Sequence, residues 1–260
     1  VEDFSEKATE ILQKSLIPAI AVIVIGVGVG MGYSYSKSKQ EKQLEVSQNE
    51  LFVIKKDIDK VTETLSPPEP KPELGKDGKP LPPKPKKEAP KVSNADKEKA
   101  YASGLERMNA FINANQGQQS AVEGAVLVSE VTSEYGKYDE GISALKTALN
   151  GFDKSNFLYG IAQTELGNLY YKTDKCTEAA DAWEQVIAQK AHDYLANDLR
   201  LKAGICYEKI NQYDRAEDQY RTIVTKSPDS SAARTAKKFL LHIRYVKTKG
   251  VQPPTEQKKG

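Results

Sequence analysis

The sequence predicts an all-α chain: a single N-terminal transmembrane helix, a Pro/Lys-rich linker, then a solenoid of about three helical hairpins closed by a capping helix. Three observations predict it. An uncharged apolar run fills Leu16–Tyr33. Nine of the thirteen prolines fall in residues 66–92. From Tyr159 to Pro228 one helix pair is written twice, because Gln163, Leu166, Gly167, Tyr170, Ala179, Trp183 and Val186 recur as Arg200, Ala203, Gly204, Tyr207, Ala216, Tyr220 and Ile223, each 37 residues on. A fixed period of this size marks a stacked helical array, in which one pair cannot bury its own apolar face.

The repeat residues have a physical reading. Gly167 and Gly204 stand inside helices, where glycine costs about 1 kcal/mol against alanine. The cost is tolerable where a second helix backbone passes close by. Ala179 and Ala216 are the matching small faces, and Tyr170, Trp183, Tyr207 and Tyr220 are wedges between pairs. The spacing resembles the tetratricopeptide repeat (TPR) family: Leu166-Gly167, Tyr170, Ala179, Trp183 and Val186, then Gly204, Tyr207, Ala216, Tyr220, Ile223 and the closing Pro228. The first copy has Ala191 where the second has Pro228. A weaker copy lies upstream, with Gly141, Leu145 and Ala148 at the second-helix positions and Ser129 replacing the glycine. The three copies span 120–153, 160–191 and 197–228, about the minimum for a stable stack.

Taken from the start, residues 1–15 form a net acidic flank and 16–33 a membrane span, close to the ~20 residues that cross a bilayer. A secretory signal is the rejected alternative, since the flank is not basic and no small-residue cleavage site follows. Gly26, Gly28, Gly30 and Gly32 give two overlapping G-x-x-x-G pairs. A nucleotide-binding loop is excluded there, because no strand-to-helix context surrounds the glycines.

Residues 34–65 read as a heptad-like helix with Leu44, Leu51, Ile54, Ile58, Val61 and Leu65 on its seam. The seam either dimerises the anchor or packs on the repeat domain or membrane; both readings stand. Residues 66–92 are expected to be a disordered spacer, roughly 80 Å at full stretch, which would let the repeats sit far from the bilayer. Pro67-x-x-Pro70 and Pro82-x-x-Pro85 have the shape of SH3 ligands, with a plain spacer the preferred reading.

The TPR-like domain is assigned to 93–247, opened by a helix near Lys97 with Asn94 and Asp96 as caps. A last helix starts at Asp229. There Ala232, Ala236, Phe239, Leu240 and Ile243 face inward and Arg234, Lys237, Lys238 and Arg244 face out. Residues 248–260 are a polar, disordered tail.

Chemistry is sparse. The net charge of +2 implies no nucleic-acid partner. Cys176 and Cys206 lack C-x-x-C spacing; two packed thiols are the preferred reading, with a disulfide across neighbouring helices as the alternative. Neither His192, in the loop between repeats, nor His242 has a nucleophile placed by sequence. No catalytic residue, cofactor site or metal site is assigned, and the chain is read as a non-enzyme.

By resemblance to TPR domains, the first helices would line a concave, protein-binding groove. Its residues would be Glu123, Val126, Glu130, Ser133 and Glu134, then Ile161, Thr164, Asn168, Tyr171 and Lys172, then Asp198, Leu201, Ile205, Glu208 and Lys209. The surface is acidic at one end and apolar at Ile161, Tyr171, Leu201 and Ile205, which suits extended or helical peptide segments. The lysines with which some TPR domains clamp a chaperone's terminal carboxylate are absent at Val126, Thr164 and Leu201; only Asn168 matches.

The whole layout resembles the YfgM-like family, ancillary SecYEG translocon subunits of the bacterial inner membrane. Gly26–Gly32 followed by Tyr33-Ser34-Tyr35, and Ala179-Ala180-Asp181-Ala182-Trp183-Glu184, carry the resemblance. It implies a periplasmic repeat domain that handles exported chains near the translocon and periplasmic chaperones. Lys37, Lys39 and Lys42, just after the span, point instead to the cytoplasm by the positive-inside tendency. The periplasm is the preferred side. A structural subunit of a larger membrane assembly and a cytoplasm-facing docking scaffold are the alternatives, and a homo-oligomer is left open.

Overall fold

The structure is a computed structural model that describes residues 42, 44–65 and 92–249. The expected membrane span, Leu16–Tyr33, the proline-rich segment and the far tail lie outside the described residues. No helix among the described residues is long and apolar enough to cross a membrane. The chain divides into two units, Val1–Glu50 and Leu51–Gly260. In the first, residues 44–50 are helical and Ser47 Oγ donates to the Leu44 carbonyl at 2.9 Å.

Every described element of the second unit is helical. Helix α1 covers 51–65. It is followed by α2 (Asn94–Ala114), α3 (Gln119–Glu134), α4 (Tyr138–Leu149), α5 (Phe157–Lys172) and α6 (Cys176–Ile187). A 3-10 turn, Lys190–Leu195, leads into α7 (Ala196–Lys209), α8 (Tyr213–Lys226) and α9 (Ser231–Lys249). The pairs α3/α4, α5/α6 and α7/α8 are the three predicted hairpins. Residues of α1–α5 build one core cluster and residues of α6–α9 a second.

Two helix starts differ from the sequence reading. The cap of α2 is Ser93, whose Oγ accepts the Asp96 amide; Asp96 in turn accepts the Ser93 hydroxyl at 2.7 Å, a reciprocal arrangement that closes the first turn. The cap of α9 is Ser230, which accepts the Ala233 amide, so the helix begins two residues past the expected start.

The heptad seam takes the second of its two readings. Leu51, Ile54 and Ile58 are buried in the core with Tyr101, Leu105 and Met108 of α2, and Val61 and Leu65 pack partly against it. Ile58 Cγ1 lies 2.8 Å from where a Cβ on Gly104 would stand, Thr62 and the Tyr101 hydroxyl are 2.9 Å apart, and Arg107 donates to Asp57 at 2.6 Å. From Leu51 on, the seam is consumed inside one chain, while Leu44 is exposed. Helices α1 and α2, on either side of the proline-rich segment in sequence, contribute to a single core.

The glycines of the repeat also work differently from expectation. What approaches Gly167 and Gly204 is an aromatic ring: the Trp183 indole and the Tyr220 phenol occupy the space a Cβ would take. In the first hairpin the position holds Ser129, the opposing wedge is Leu145, and the small residue moves to the second helix. There a Cβ on Gly141 would stand 2.9 Å from Ser129 Cα. Each hairpin turn is made the same way. Gly136, Asp174 and Asn211 share one repeat offset and adopt φ of 84°, 60° and 60°.

Cys176 and Cys206 form a disulfide, which corrects the preference for two separate thiols. Packing of α6 on α7 brings their Cα atoms within 5.0 Å, a proximity that 30 residues of sequence separation conceal. His192, expected in an open loop, is buried in the 3-10 turn, with its ring stacked on Tyr159 and Nε2 3.0 Å from the Lys154 carbonyl.

Candidate functional site

The first helix of each pair divides its residues between core and surface. On α5, Tyr159, Ala162, Leu166 and Leu169 are buried, and on α7 Leu199, Ala203, Cys206 and Tyr207. The proposed groove positions fall on what remains. Val126, Ile161, Thr164, Asn168, Leu201, Ile205 and Glu208 are half-buried, while Glu130, Tyr171 and Lys172 are exposed. The packing positions Gly167, Ala179, Trp183, Gly204, Tyr207, Ala216 and Tyr220 are buried; Tyr170 is half-buried and Pro228 exposed.

Several groove residues are tied to their neighbours. Lys202 Nζ donates to Asn168 Oδ1 at 3.3 Å, and Asn168 Nδ2 donates to Glu165. The Tyr171 ring lies 6.3 Å from the Trp183 ring, with Lys209 Nζ 5.3 Å from its centroid. Lys209 also donates to Asp174 at 2.7 Å, and Lys172 sits over the Tyr138 ring. Two groove hydroxyls, Ser133 Oγ and Thr164 Oγ1, are buried with no hydrogen-bond partner among the described residues. Such groups are rare in folded proteins.

Glu208 is not presented as a bare acid. Its carboxylate accepts the Tyr220 hydroxyl at 2.7 Å on one oxygen and lies 2.9 Å from His242 Nδ1 on the other. Burial, then the Glu208 hydrogen bond, pushes the Tyr220 phenol far above its ordinary value, so it stays a donor. The same device recurs one helix earlier. Tyr207, raised by burial and by Glu184, donates to Glu184 at 2.7 Å, and Gln219 and Arg215 donate to the same carboxylate.

Sequence reading missed the part played by α9. Its Lys238, His242 and Tyr245 stand one repeat step beyond Leu201, Ile205 and Glu208, and all three are exposed. Extending the 37-residue register once more was the available signal. The row of first helices therefore runs from acidic Glu123, Glu130 and Glu134 on α3 to basic Lys238 on α9. Among the described residues no cluster of His, Cys, Asp and Glu could hold a metal ion. An open cavity of about 640 Å³ is lined by Tyr159, Gln163 and Tyr170 of α5 together with residues of α4 and α6.

Residues 164–231 match a family model described as tetratricopeptide repeat. No curated protein is matched. Two crystal structures of MamA are similar. One is 18% identical, with 59% of this chain and 80% of that chain covered at a TM-score of 0.42. The other is 18% identical, with 61% and 98% covered at a TM-score of 0.39.

Proposed function

We propose that the chain is a membrane-anchored, non-enzymatic TPR scaffold. It captures segments of other proteins on its first-helix face, in the periplasm, in the service of protein export or envelope chaperoning. One observation carries the binding role. At the groove offsets, α5 and α7 keep Ile161, Leu201 and Ile205 half-exposed and Tyr171 exposed, while Tyr159, Ala162, Leu166 and Leu169 of α5 and Leu199, Ala203, Cys206 and Tyr207 of α7 are buried. Exposed aromatic and branched side chains suit a peptide that brings apolar contacts.

One feature supports the periplasmic side: disulfides persist in oxidising compartments, and Cys176–Cys206 joins α6 to α7. On either side, a buried core that begins at Leu51, only 18 residues after Tyr33, suits work close to a membrane. The resemblance to the YfgM-like family supplies the export role.

The side is tested by trypsin access in sealed spheroplasts, read on a denaturing gel, because α1 keeps a domain cut at Lys76, Lys86 or Lys87 together. Cutting without lysis is the expected outcome. Protection until lysis overturns the periplasmic reading and leaves a cytoplasm-facing docking scaffold, the side favoured by Lys37, Lys39 and Lys42. The groove is tested by crosslinked capture. Tyr171→Ala with Ile205→Ala is expected to reduce the captured partners while thermal unfolding is unchanged, and an unchanged set of partners refutes the assignment.

A further inference from the structure

Helix α9 is written in the register of a first helix. The repeat glycine recurs as Gly167 and Gly204, and one more 37-residue step falls on Leu241. The inward side keeps step too, with Ala236, Leu240 and Ile243 at the offsets of Leu199, Ala203 and Cys206. In both preceding pairs this offset faces a ring from the helix that follows. On α9 it faces solvent, with Leu241 63% exposed. The next second helix would place its alanine at 253 and its aromatic at 257, where the sequence has Pro253 and Gln257. Neither residue is the small or aromatic type of the repeat pattern.

The uncovered face has one sign of charge. Ser231–Lys249 contains six Lys or Arg residues and no Asp or Glu. Lys247 is held by Asp214 and Glu217, and His242 by Glu208. Lys237 and Arg244, which stand at the offsets of Arg200 and Tyr207 and so flank Leu241 on the side a second helix would cover, are exposed.

We propose that this face docks an acidic amphipathic helix of a partner protein, seated as the second helix of a fourth pair. Its carboxylates lie against Lys237 and Arg244, and a small residue receives Leu241. The small residue follows from the first hairpin, where Ser129 replaces the glycine and the second helix supplies Gly141 at the close approach. Among the described residues a second copy of this chain offers no such helix, because the apolar faces of α4, α6 and α8 are already buried. A lipid surface suits the face less well. Interfacial helices bury a continuous apolar side, whereas α9 turns Ala233, Ala236, Ile243 and Val246 into its own core and exposes only Leu241 and Tyr245 among its large apolar residues.

The test uses the full chain in neutral detergent micelles and a fluorescein-labelled designed helix of about five turns, with alanine along its contact face and glutamate on both flanks. Fluorescence anisotropy is expected to show saturable binding. Leu241→Asp should weaken it about tenfold or more, as should Lys237→Glu with Arg244→Glu. The charge-reversed probe, with lysine for glutamate, should bind that double variant and not the unaltered chain. Tyr171→Ala with Ile205→Ala should leave binding unchanged. Absent binding, or binding indifferent to Leu241→Asp, overturns the proposal. Loss of binding in the Tyr171/Ile205 variant alone also overturns it, since the probe would then sit in the groove. Displacement of the probe by micelles carrying phosphatidylglycerol overturns it in favour of a lipid-binding face.

Discussion

The indole of Trp183 occupies the volume that a side chain on Gly167 would need: Cε2 lies 2.8 Å from where the Cβ would stand. Tyr220 does the same at Gly204, with Cζ at 2.6 Å. The pairing accounts for a glycine kept inside a helix at about 1 kcal/mol of lost propensity. Both rings are buried, and the Trp183 Nε1 donates to the Thr164 carbonyl at 3.2 Å, so the indole cannot withdraw without losing a hydrogen bond.

Gly167→Ala is therefore expected to destabilise the domain, although alanine is the better helix former. Forcing a methyl against a fixed ring costs about 1–3 kcal/mol, which exceeds the propensity gain. Adding Trp183→Leu should recover part of the loss, because it recreates the Ser129/Leu145 solution of the first hairpin. Urea unfolding of the two single variants and the double variant measures the coupling. A stabilised Gly167→Ala would show that the ring moves freely.

Gly136, Asp174 and Asn211 carry the left-handed turn that ends each first helix. No heavy atom lies within 4 Å of a Cβ built on Gly136, so space is not the constraint there and the backbone conformation is. Gly136→Ala should cost about 1–2 kcal/mol as a lowered urea midpoint with an unchanged slope. An unchanged midpoint would mean that the turn relaxes out of φ 84° at no cost.

The repeat register was legible because its code is steric. A glycine, an alanine and a ring at fixed offsets fit together where two helices cross closely, and Gly167, Ala179 and Trp183 are all buried at that crossing. The left-handed triad of Gly136, Asp174 and Asn211 is made of residue types that enter positive φ readily, but those types also fill ordinary turns, so residue identity alone did not single it out. The disulfide was legible only as the less preferred alternative, because the meeting of Cys176 and Cys206 depends on how α6 packs on α7, which spacing does not encode. Periodicity identified the buried side of 51–65 correctly but carried no information on its neighbour. That is why a self-pairing seam and an internal one read alike. At the groove, sequence offsets located Glu208 yet could not show that Tyr220 and His242 already engage its carboxylate.

Placement of α1 in the core leads to a direct test. Ile58 is 1% exposed and fills the space above Gly104. Ile58→Ala should cost about 2–5 kcal/mol, read as a lower urea midpoint that does not depend on protein concentration. A seam between chains would instead give a midpoint that rises with concentration. That dependence, absent from the unaltered chain under this structure, would return α1 to an intermolecular role.

Alkaline pH should weaken the fold through its buried phenols. Burial raises Tyr101, Tyr159, Tyr207 and Tyr220 above the usual value and pushes Tyr135 up to about 12. For a group whose folded value is raised, the stabilisation is complete below the unfolded value of about 10 and is lost as pH rises from there toward the folded value. Between these limits the unfolded chain releases a proton that the folded chain keeps, so each such tyrosine removes about 1.4 kcal/mol per pH unit. Phenolate absorbance is expected to lag behind that of free tyrosine and then rise together with loss of helix. Tyr220→Phe, which removes one of these protons along with the hydrogen bond to Glu208, should lower stability at neutral pH and make the alkaline decline shallower. Ionisation of all tyrosines in one wave near pH 10 with the helices intact would refute the burial of these hydroxyls.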